Sequence, residues 1–313
     1  MREVHFVCVQ PRLLYYAWQL EVMLMNFMEN DVDPTRIHVV LAFSDDPNSQ
    51  TNSPDTRDLF DRLRGRYTRV DFRDYPDRRP ARSPYPSTIR PHLMARLLRD
   101  SPWLADAALF YHDCDIILTR RLDLSALAVD DTCYVSDTVA YIGASYVTSK
   151  GIELYRDMCA VVGIDPRVPI QRNRDSGGAQ YLLKGTRPDF WDKVESDCHN
   201  MYALLTDRES SSPDPIQKWT TDMWCLLWNL WLSGQEVRVH PSLRFSWPSD
   251  PITMVDQASI FHNAGVTEPG GMFFKQDFTY RLPYGTNLEL DPGLCSHYYY
   301  QQLRRYGADS CLR

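Results

Sequence analysis

The sequence predicts an α/β fold with a mostly parallel central sheet flanked by helices. In the first 115 residues, four hydrophobic runs of strand length alternate with three segments of helical periodicity. Such alternation is typical of parallel strands that are joined by crossover helices. Hydrophobic residues make up 43% of the 313 residues, which is enough for a proper core.

The elements of this first part follow from local patterns. Ser53 and Pro54 predict a helix start, because serine caps a helix and proline suits its first position. The prolines between residues 76 and 91 predict a rigid, irregular connection. We predict strands at residues 4–9, 37–43, 67–72 and 107–111, and helices at 13–28, 54–64 and 91–99.

After residue 132 the alternation of strands and helices is less regular, and we predict helices joined by long loops. The predicted helices are residues 148–162, 189–205 and 220–232, with a loop at 165–178 and a polar linker at 210–215. Trp224, Trp228 and Trp231 share one face of the last helix and are predicted to lie in the core. Long loops after a sheet are typical of functional sites, so we predict no separate domain here.

Charge and cysteine content argue against several classes of protein. The net charge of −7 and the pI near 5.6 argue against a nucleic-acid-binding protein. No window has about 18 uninterrupted apolar residues, and the start lacks signal-peptide features, so we expect no membrane span. None of the eight cysteines has CxxC spacing, which argues against a zinc ribbon. We therefore expect a cytoplasmic protein.

Two aspartates, Asp113 and Asp115, follow the fourth predicted strand in the stretch FYHDCDIILTR. The motif alone has little weight, since 32 aspartates give roughly three such triplets by chance and two occur. Its position is informative, because ligands bind beyond the carboxyl ends of parallel strands. A divalent cation such as Mg²⁺ or Mn²⁺ would relieve the repulsion between the carboxylates. The alternative is a solvated strand end with two surface aspartates.

A second group of candidates lies in FHNAG and FFK, at residues 261–265 and 273–275. His262 would be a third metal ligand if the chain folded back to Asp115. Lys275 would then lie near a diphosphate as a compact positive charge. A histidine in this position is also commonly a hydrogen-bonded structural residue, and both interpretations remain open.

Two further motifs contain polar candidates. In RDSGGAQYLLKG, Gly177 permits close approach of the backbone to a ligand, and Asp175 and Gln180 offer hydrogen bonds suited to sugar hydroxyls. An ordinary turn is the alternative. In WTTDMW, a cap by Thr220 or Thr221 would place Asp222 in the first turn of a helix. Asp222 is then a candidate general base, or a residue that only complements the helix dipole.

The order of these motifs resembles that of nucleotide-sugar glycosyltransferases of the Rossmann-like GT-A fold. HFVCVQ, DCD at a strand end, GGAQ, an acidic helix start and HNAG follow one another over residues 3–280. The arrangement is similar to that of plant peptidyl hydroxyproline arabinosyl- and serine galactosyltransferases and of uncharacterised viral and bacterial relatives. The resemblance implies one domain, 1–313, with a nucleotide-binding half at 1–118, a donor-sugar and acceptor half at 119–280 and a C-terminal extension at 281–313.

The resemblance also implies roles for single residues. Asp115 would bind Mn²⁺ or Mg²⁺ directly, Asp113 would contact the ribose or reach the metal through water, and His262 would complete the protein ligands. The other implied ligands are Gln10 for the nucleotide, Arg90 for the donor phosphates or sugar, Lys275 for the donor phosphates, Asp175, Gly177 and Gln180 for the donor sugar, and Asp222 on the acceptor side.

The predicted activity is transfer of a sugar from a UDP- or GDP-sugar to a hydroxyl of a glycan or protein. A base at Asp222 would invert the anomeric configuration, whereas the relatives named above suggest retention, so the stereochemistry stays open. One alternative is a haloacid-dehalogenase-like phosphatase, although Ile117 stands where that motif has Thr or Val. Another is a non-catalytic carbohydrate-binding protein, favoured by eight tryptophans and 18 tyrosines.

Overall fold

The computed structural model describes residues 2–79, 84–209 and 214–313. Parts of the predicted proline-rich connection (80–83) and polar linker (210–213) lie outside the described residues. The strands in chain order are β1 (Val4–Pro11), β2 (Ile37–Phe43), β3 (Asp71–Pro76), β4 (Ala108–Tyr111), β5 (Ile116–Leu118), β6 (Cys133–Asp137), β7 (Gly177–Lys184), β8 (Val237–Val239), β9 (Phe245–Ser246) and β10 (Ile260–His262). The α-helices are α1 (Leu14–Glu29), α2 (Pro54–Arg66), α3 (Ile89–Asp100), α4 (Val139–Ile142), α5 (Ala144–Lys150), α6 (Ile152–Val162), α7 (Arg167–Gln171), α8 (Pro188–Glu209), α9 (Thr221–Leu232) and α10 (Cys295–Ala308).

The chain divides into two compact units that interleave along the sequence. The DCD unit, named for the motif it contains, comprises Phe6–Asp77, His112–Leu124 and Ser242–Arg313. The GGAQ unit comprises Met1–His5, Arg78–Tyr111 and Ser125–Pro241. The predicted halves at 1–118 and 119–280 are consecutive, whereas these units alternate. A single domain over 1–313 stays a prediction.

Seven of the described strands form one mixed sheet in the order β3-β2-β1-β4-β7-β6-β8. Strands β1, β2 and β3 are parallel to one another, and β6 is parallel to β8. Strand β7 is antiparallel to both of its neighbours, β4 and β6. The predicted α/β fold, with a mostly parallel central sheet and flanking helices, is therefore confirmed.

In the DCD unit, the first strands and helices are those that hydrophobic periodicity predicts. Val7, Cys8 and Val9 of β1 are almost fully buried, as a central strand requires. Ser53 caps α2 by accepting a hydrogen bond from Thr56 N at 3.2 Å, with Pro54 as the first helical residue, as predicted.

A second sheet in the DCD unit, in the order β5-β10-β9, was not predicted. Its strands have only two or three residues each, which is too short for a hydrophobic period to show. Helix α1 holds the other edge of β5: Asn26 Nδ2 donates to Leu118 O at 3.0 Å, and Leu118 N donates to Asn26 Oδ1 at 2.6 Å. The backbone of this short strand is therefore paired on both sides.

In the GGAQ unit, helix α8 packs against both α3 and α9, and α9 also contacts β7. Trp224 and Trp228 are almost fully buried, and Trp231 is 6% exposed, which confirms the predicted core stripe. The predicted loop at 165–178 was wrong in part, because it contains the short helix α7 and the first residues of β7.

Two predicted bounds also need correction. The third strand was predicted at 67–72 but runs from Asp71 to Pro76, because Tyr67 N still donates to Leu63 O and Val70 N closes a turn on Tyr67 O. The predicted helix at 148–162 is interrupted at Gly151, whose φ of 144° lies outside the helical region.

No α-helix in the described ranges is both long enough and apolar enough to cross a bilayer. The cytoplasmic location stays a prediction.

Candidate functional site

The pairing of β5 with β10 brings the three predicted metal ligands together within the DCD unit. His262, the last residue of β10, lies opposite Ile116, the residue after Asp115. Asn263 N donates to Asp115 O at 2.9 Å and continues this contact by one residue. One ligand atom from each of Asp113, Asp115 and His262 lies within 4.8 Å of the other two.

The imidazole of His262 lies beside both carboxylates. Its Nε2 is 3.2 Å from Asp115 Oδ1 and 3.5 Å from Asp113 Oδ2. Lys275 Nζ donates to the other oxygen of Asp115, Oδ2. The side chains of Asp115 and His262 are 7% and 5% exposed, whereas those of Asp113 and Lys275 are 20% and 18% exposed. The cluster is thus buried at its centre and reaches solvent at Asp113 and Lys275.

Attraction between opposite charges has a larger effect than burial on the pKa values in this cluster. Burial raises the pKa of Asp115, but Lys275 and His262 lower it well below its usual range. Burial lowers the pKa of His262, but Asp115 and Asp113 raise it to about 9. Burial also lowers the pKa of Lys275, and the charge of Asp115 more than restores it. The site therefore strongly favours positive charge between its carboxylates.

The donor set fits a divalent cation. Carboxylate oxygens are ligands that Mg²⁺ and Mn²⁺ favour, and a neutral imidazole adds one nitrogen. To act as a ligand, His262 must lose the proton that the two carboxylates stabilise, because metal ligation and protonation compete for the same nitrogen. Lys275 occupies only one oxygen of Asp115, so Oδ1 stays directed toward His262.

The turn that carries the aspartates is held by its neighbours in sequence. His112 Nδ1 donates to Asp113 O at 2.8 Å, since a carbonyl oxygen can only accept. Burial lowers the pKa of His112 to about 4, so its ring is neutral near pH 7. Cys114, between the two aspartates, is 2% exposed and packs inward.

Aromatic residues that the sequence did not indicate fix the ring of His262. Trp247 stacks on it with 6.0 Å between ring centroids and 14° between planes, and Phe245 lies at 5.7 Å. Both belong to the segment at β9, which pairs with β10. The contact of Trp247 and Phe245 with His262 follows from the pairing of β9 with β10. Because both strands are so short, no sequence pattern indicated this contact.

A separate polar cluster in the GGAQ unit surrounds Asp222. Arg90 Nη1 lies 3.2 Å from Asp222 Oδ2, and the two side chains are 26% and 12% exposed. The Tyr85 hydroxyl hydrogen-bonds Asp222 Oδ1 and accepts from Asp222 N at 3.2 Å. Asp222 lies in the first turn of α9, as predicted. The predicted cap was wrong, because the Thr220 hydroxyl donates to Gln217 O at 2.9 Å and accepts no hydrogen bond from the first turn of α9.

Tyr85 was missed as a member of this cluster. It lies in the proline-rich connection, 137 positions before Asp222, and is 3% exposed. Burial, followed by the charge of Asp222, raises its pKa well above the usual value, so it stays a phenol. A contact over such a distance leaves no local signal in one sequence.

The GGAQ motif lies at the start of β7, where its side chains contact protein. Gln180 is fully buried, and its Oε1 accepts from Ser136 Oγ at 2.7 Å. A Cβ added at Gly177 would lie 2.2 Å from Val135 Cγ2 and 2.4 Å from Ser136 O. Asp175 Oδ1 accepts from Val239 N at 3.3 Å. Glycine is thus needed at 177 for packing on β6, and donor-sugar contacts by these three residues stay predictions.

Gln10 lies near the carboxyl end of β1, opposite Leu41 of β2, and is 6% exposed. This is the edge at which ligands bind in parallel sheets. Contact of Gln10 with a nucleotide stays a prediction, as do contacts of Arg90 and Lys275 with donor phosphates.

No protein-family model matches the chain, and no curated protein sequence matches it. Several solved structures are similar to it in fold. The galactosyltransferase LgtC, in complex with donor and acceptor sugar analogues, is 15% identical, with 97% of this chain and 95% of that chain covered and a TM-score of 0.47. The bifunctional glycosyltransferase WbbM is 11% identical, with 96% and 52% covered and a TM-score of 0.48. Mouse xyloside xylosyltransferase 1 is 8% identical, with 83% and 97% covered and a TM-score of 0.42.

Proposed function

We propose that the chain is a metal-dependent glycosyltransferase that moves a sugar from a nucleoside-diphosphate donor, a UDP- or GDP-sugar, to a hydroxyl of a glycan or protein. The observation that carries this proposal is the cluster of Asp113, Asp115, His262 and Lys275. Two carboxylates, an imidazole and an ammonium group together can hold a divalent cation and a diphosphate at one place.

The residues of the cluster have different proposed roles. Asp113, Asp115 and His262 would hold Mn²⁺ or Mg²⁺ through two oxygens and one nitrogen. A bound cation supplies charge that stabilises the departing diphosphate. Lys275 adds a second positive charge, because its side chain reaches solvent beside Asp115. Burial of Asp115 and His262 keeps water from screening these interactions.

The Asp222 cluster supports a role on the acceptor side. The Asp222 carboxylate is 12% exposed, and Arg90 and Tyr85 fix both of its oxygens. A carboxylate held in this way can orient a hydroxyl by hydrogen bonds. To act as a general base, Asp222 would also have to accept the hydroxyl proton while paired with Arg90.

The proposal is tested by thermal melting of the full chain with UDP or GDP, in the presence of Mn²⁺, Mg²⁺ or EDTA. We expect either nucleotide to raise the melting temperature only when a divalent cation is present. At about 100 times its Kd, a ligand of the native state adds about 2.7 kcal/mol of stability. Asp115→Asn should abolish the shift, because it removes the charge shared by the metal, His262 and Lys275.

The chain contains its own control for this experiment. Asp31 belongs to the other Asp-x-Asp triplet, residues 31–33; its side chain is exposed and lies 3.7 Å from Arg121. Asp31→Asn should keep the full metal-dependent shift. A nucleotide shift that persists in EDTA, or in Asp115→Asn, would contradict the proposed metal site.

A panel of UDP- and GDP-sugars, assayed for slow release of nucleoside diphosphate, would then identify the donor. Hydrolysis of p-nitrophenyl phosphate with no nucleotide release would instead favour the phosphatase alternative.

A further inference from the structure

Trp219 is one of the large apolar side chains that remain exposed in the GGAQ unit. It is 54% exposed, and its ring stacks on Tyr141 with 6.0 Å between centroids and 27° between planes. The stack covers one face of the indole. We call this pair of rings the Trp219 platform.

Hydrogen bonds hold both halves of the platform in place. The Tyr85 hydroxyl lies 2.7 Å from Trp219 O. Gln217 Nε2 donates to Tyr141 O at 3.2 Å, which ties the segment before Trp219 to the backbone of Tyr141. An exposed aromatic ring that is already fixed loses little conformational freedom when a ligand covers it.

The platform adjoins the polar cluster described above. Trp219 is three residues before Asp222, and Tyr85 contacts both of them. Asp222 and Arg90 form a pair whose charges cancel, and both side chains are partly exposed. The guanidinium offers donors and the carboxylate offers acceptors, which together match the hydroxyl groups of a sugar. A flat apolar surface with a few polar groups at its edge is typical of a small-molecule site.

We propose that the Trp219 platform binds a neutral pyranose ring of the acceptor, with Asp222 and Arg90 hydrogen-bonded to its hydroxyls. The assignment to the acceptor rests on the proposed function. A diphosphate requires excess positive charge, which a cation held by Asp113, Asp115 and His262 would supply beside Lys275 in the DCD unit, whereas the Arg90 guanidinium is paired with Asp222. The negative face of an aromatic ring likewise suits the C–H groups of a sugar better than an anion.

The test is saturation-transfer NMR on the full chain in EDTA, without nucleotide, so that the metal site takes no part. The probes are the methyl pyranosides of galactose, glucose, xylose and N-acetylglucosamine, together with lactose. We expect saturable transfer to at least one of them. Trp219→Ala should weaken that binding about tenfold, since the large aromatic contact is lost. Trp219→Phe should retain part of it.

Trp103→Ala is the matched control. Trp103 lies in the same unit and is 52% exposed, but it contacts His5 edge-on with 70° between the rings, outside the Asp222 cluster. This variant should bind the probes as the unmodified chain does. Circular dichroism melts of all variants show whether the fold is kept. Unchanged binding in folded Trp219→Ala, equal loss in Trp103→Ala, or no saturable binding by any probe would overturn the proposal.

Nucleotide melting separates this proposal from the proposed function. A metal-dependent nucleotide shift without sugar binding would overturn the platform alone. Sugar binding that depends on Trp219, without any nucleotide shift, would support the platform as a sugar site and overturn both its assignment to an acceptor and the transferase proposal.

Discussion

Asp115 lies at the buried centre of the candidate metal site. Its carboxylate contacts His262 Nε2 and Lys275 Nζ, and its carbonyl accepts from Asn263 N. Asp113 Oδ2 lies 3.5 Å from His262 Nε2, and its side chain is more exposed than that of Asp115. We therefore expect substitution of Asp115 to have larger effects than the same substitution of Asp113.

The proposed role of Lys275 in stabilising the leaving group can be tested separately from metal binding. Lys275→Met should retain Mn²⁺ binding, because the three ligands remain and Asp115 loses a competing cation. Sugar-nucleotide turnover should fall about 100-fold, the usual cost of one lost group that stabilises transition-state charge. Calorimetric Mn²⁺ titration and steady-state kinetics would measure the two effects.

Lys275→Arg serves as the charge-preserving comparison and should retain more activity than Lys275→Met. Equal turnover in Lys275→Met and the unmodified chain would show that this ammonium does not act on the diphosphate.

The ligand residues could be proposed from sequence because each stands at the end of an apolar run. Asp113 and Asp115 follow β4, and His262 follows Ile260 and Phe261. The contact between them could not be derived from the sequence. It depends on the pairing of two three-residue strands, β5 and β10, that are separated in the chain by residues 125–241. The same holds for Tyr85 and Asp222, whose hydrogen bond joins residues 137 positions apart.

At the scale of elements, Gly177 marks where two strands lie unusually close. Strand β6 has an irregular register between Val135 and Ser136, directly opposite the start of β7. Gly177→Ala should lower the free energy of unfolding by about 1–3 kcal/mol, because the new Cβ would overlap Val135 and the Ser136 carbonyl. Urea denaturation would measure this.

Gly65→Ala is the control for this substitution. Gly65 lies in α2, and a Cβ there would meet nothing within 4 Å. Alanine should therefore be neutral or stabilise the chain by about 0.5–1 kcal/mol. A neutral Gly177→Ala would mean that β6 moves easily, and that packing is not the reason for glycine at this position.

Long, periodic elements were predicted best and short or irregular ones worst. Helix α1 and strand β2 lie within a residue or so of their predicted bounds, because one buried stripe or run defines each of them. Strand β3 is only partly buried and has charged residues at three of its six positions, so the nearby apolar Tyr67 and Val70 displaced its predicted start. The direction of β7 follows from pairing and has no local signal.

At the scale of the molecule, Glu21 of helix α1 joins distant segments of the DCD unit by hydrogen bonds. This fully buried carboxylate accepts hydrogen bonds from Tyr284 Oη and Ser310 Oγ, both at 2.6 Å, and from Cys311 N at 2.7 Å. It thereby joins α1 to residues up to 290 positions away. We expect this contact to form late in folding, since distant segments must meet first.

Glu21→Ala should lower the free energy of unfolding by about 3 kcal/mol or more, because three buried donors lose their acceptor. Glu29→Ala, at the exposed end of the same helix, removes a carboxylate that pairs with Arg305 at 2.5 Å and accepts from the Tyr306 hydroxyl at 2.6 Å. This substitution should lower the free energy of unfolding by about 1 kcal/mol. Equal losses in the two variants, measured in urea, would show that the buried contact has no special weight.

The interleaving of the two units has a consequence for how such a protein can diversify. Ser125–Pro241 enters the chain after β5 and leaves it before β9 and β10, so it behaves as an insertion between the two halves of a small sheet. Mutations can accumulate in this inserted segment, including around Trp219, without changing Asp115 or His262, which lie outside it. Under the proposed function, relatives should therefore vary in the sugar they accept more readily than in the metal they use, because selection can act on the two properties separately.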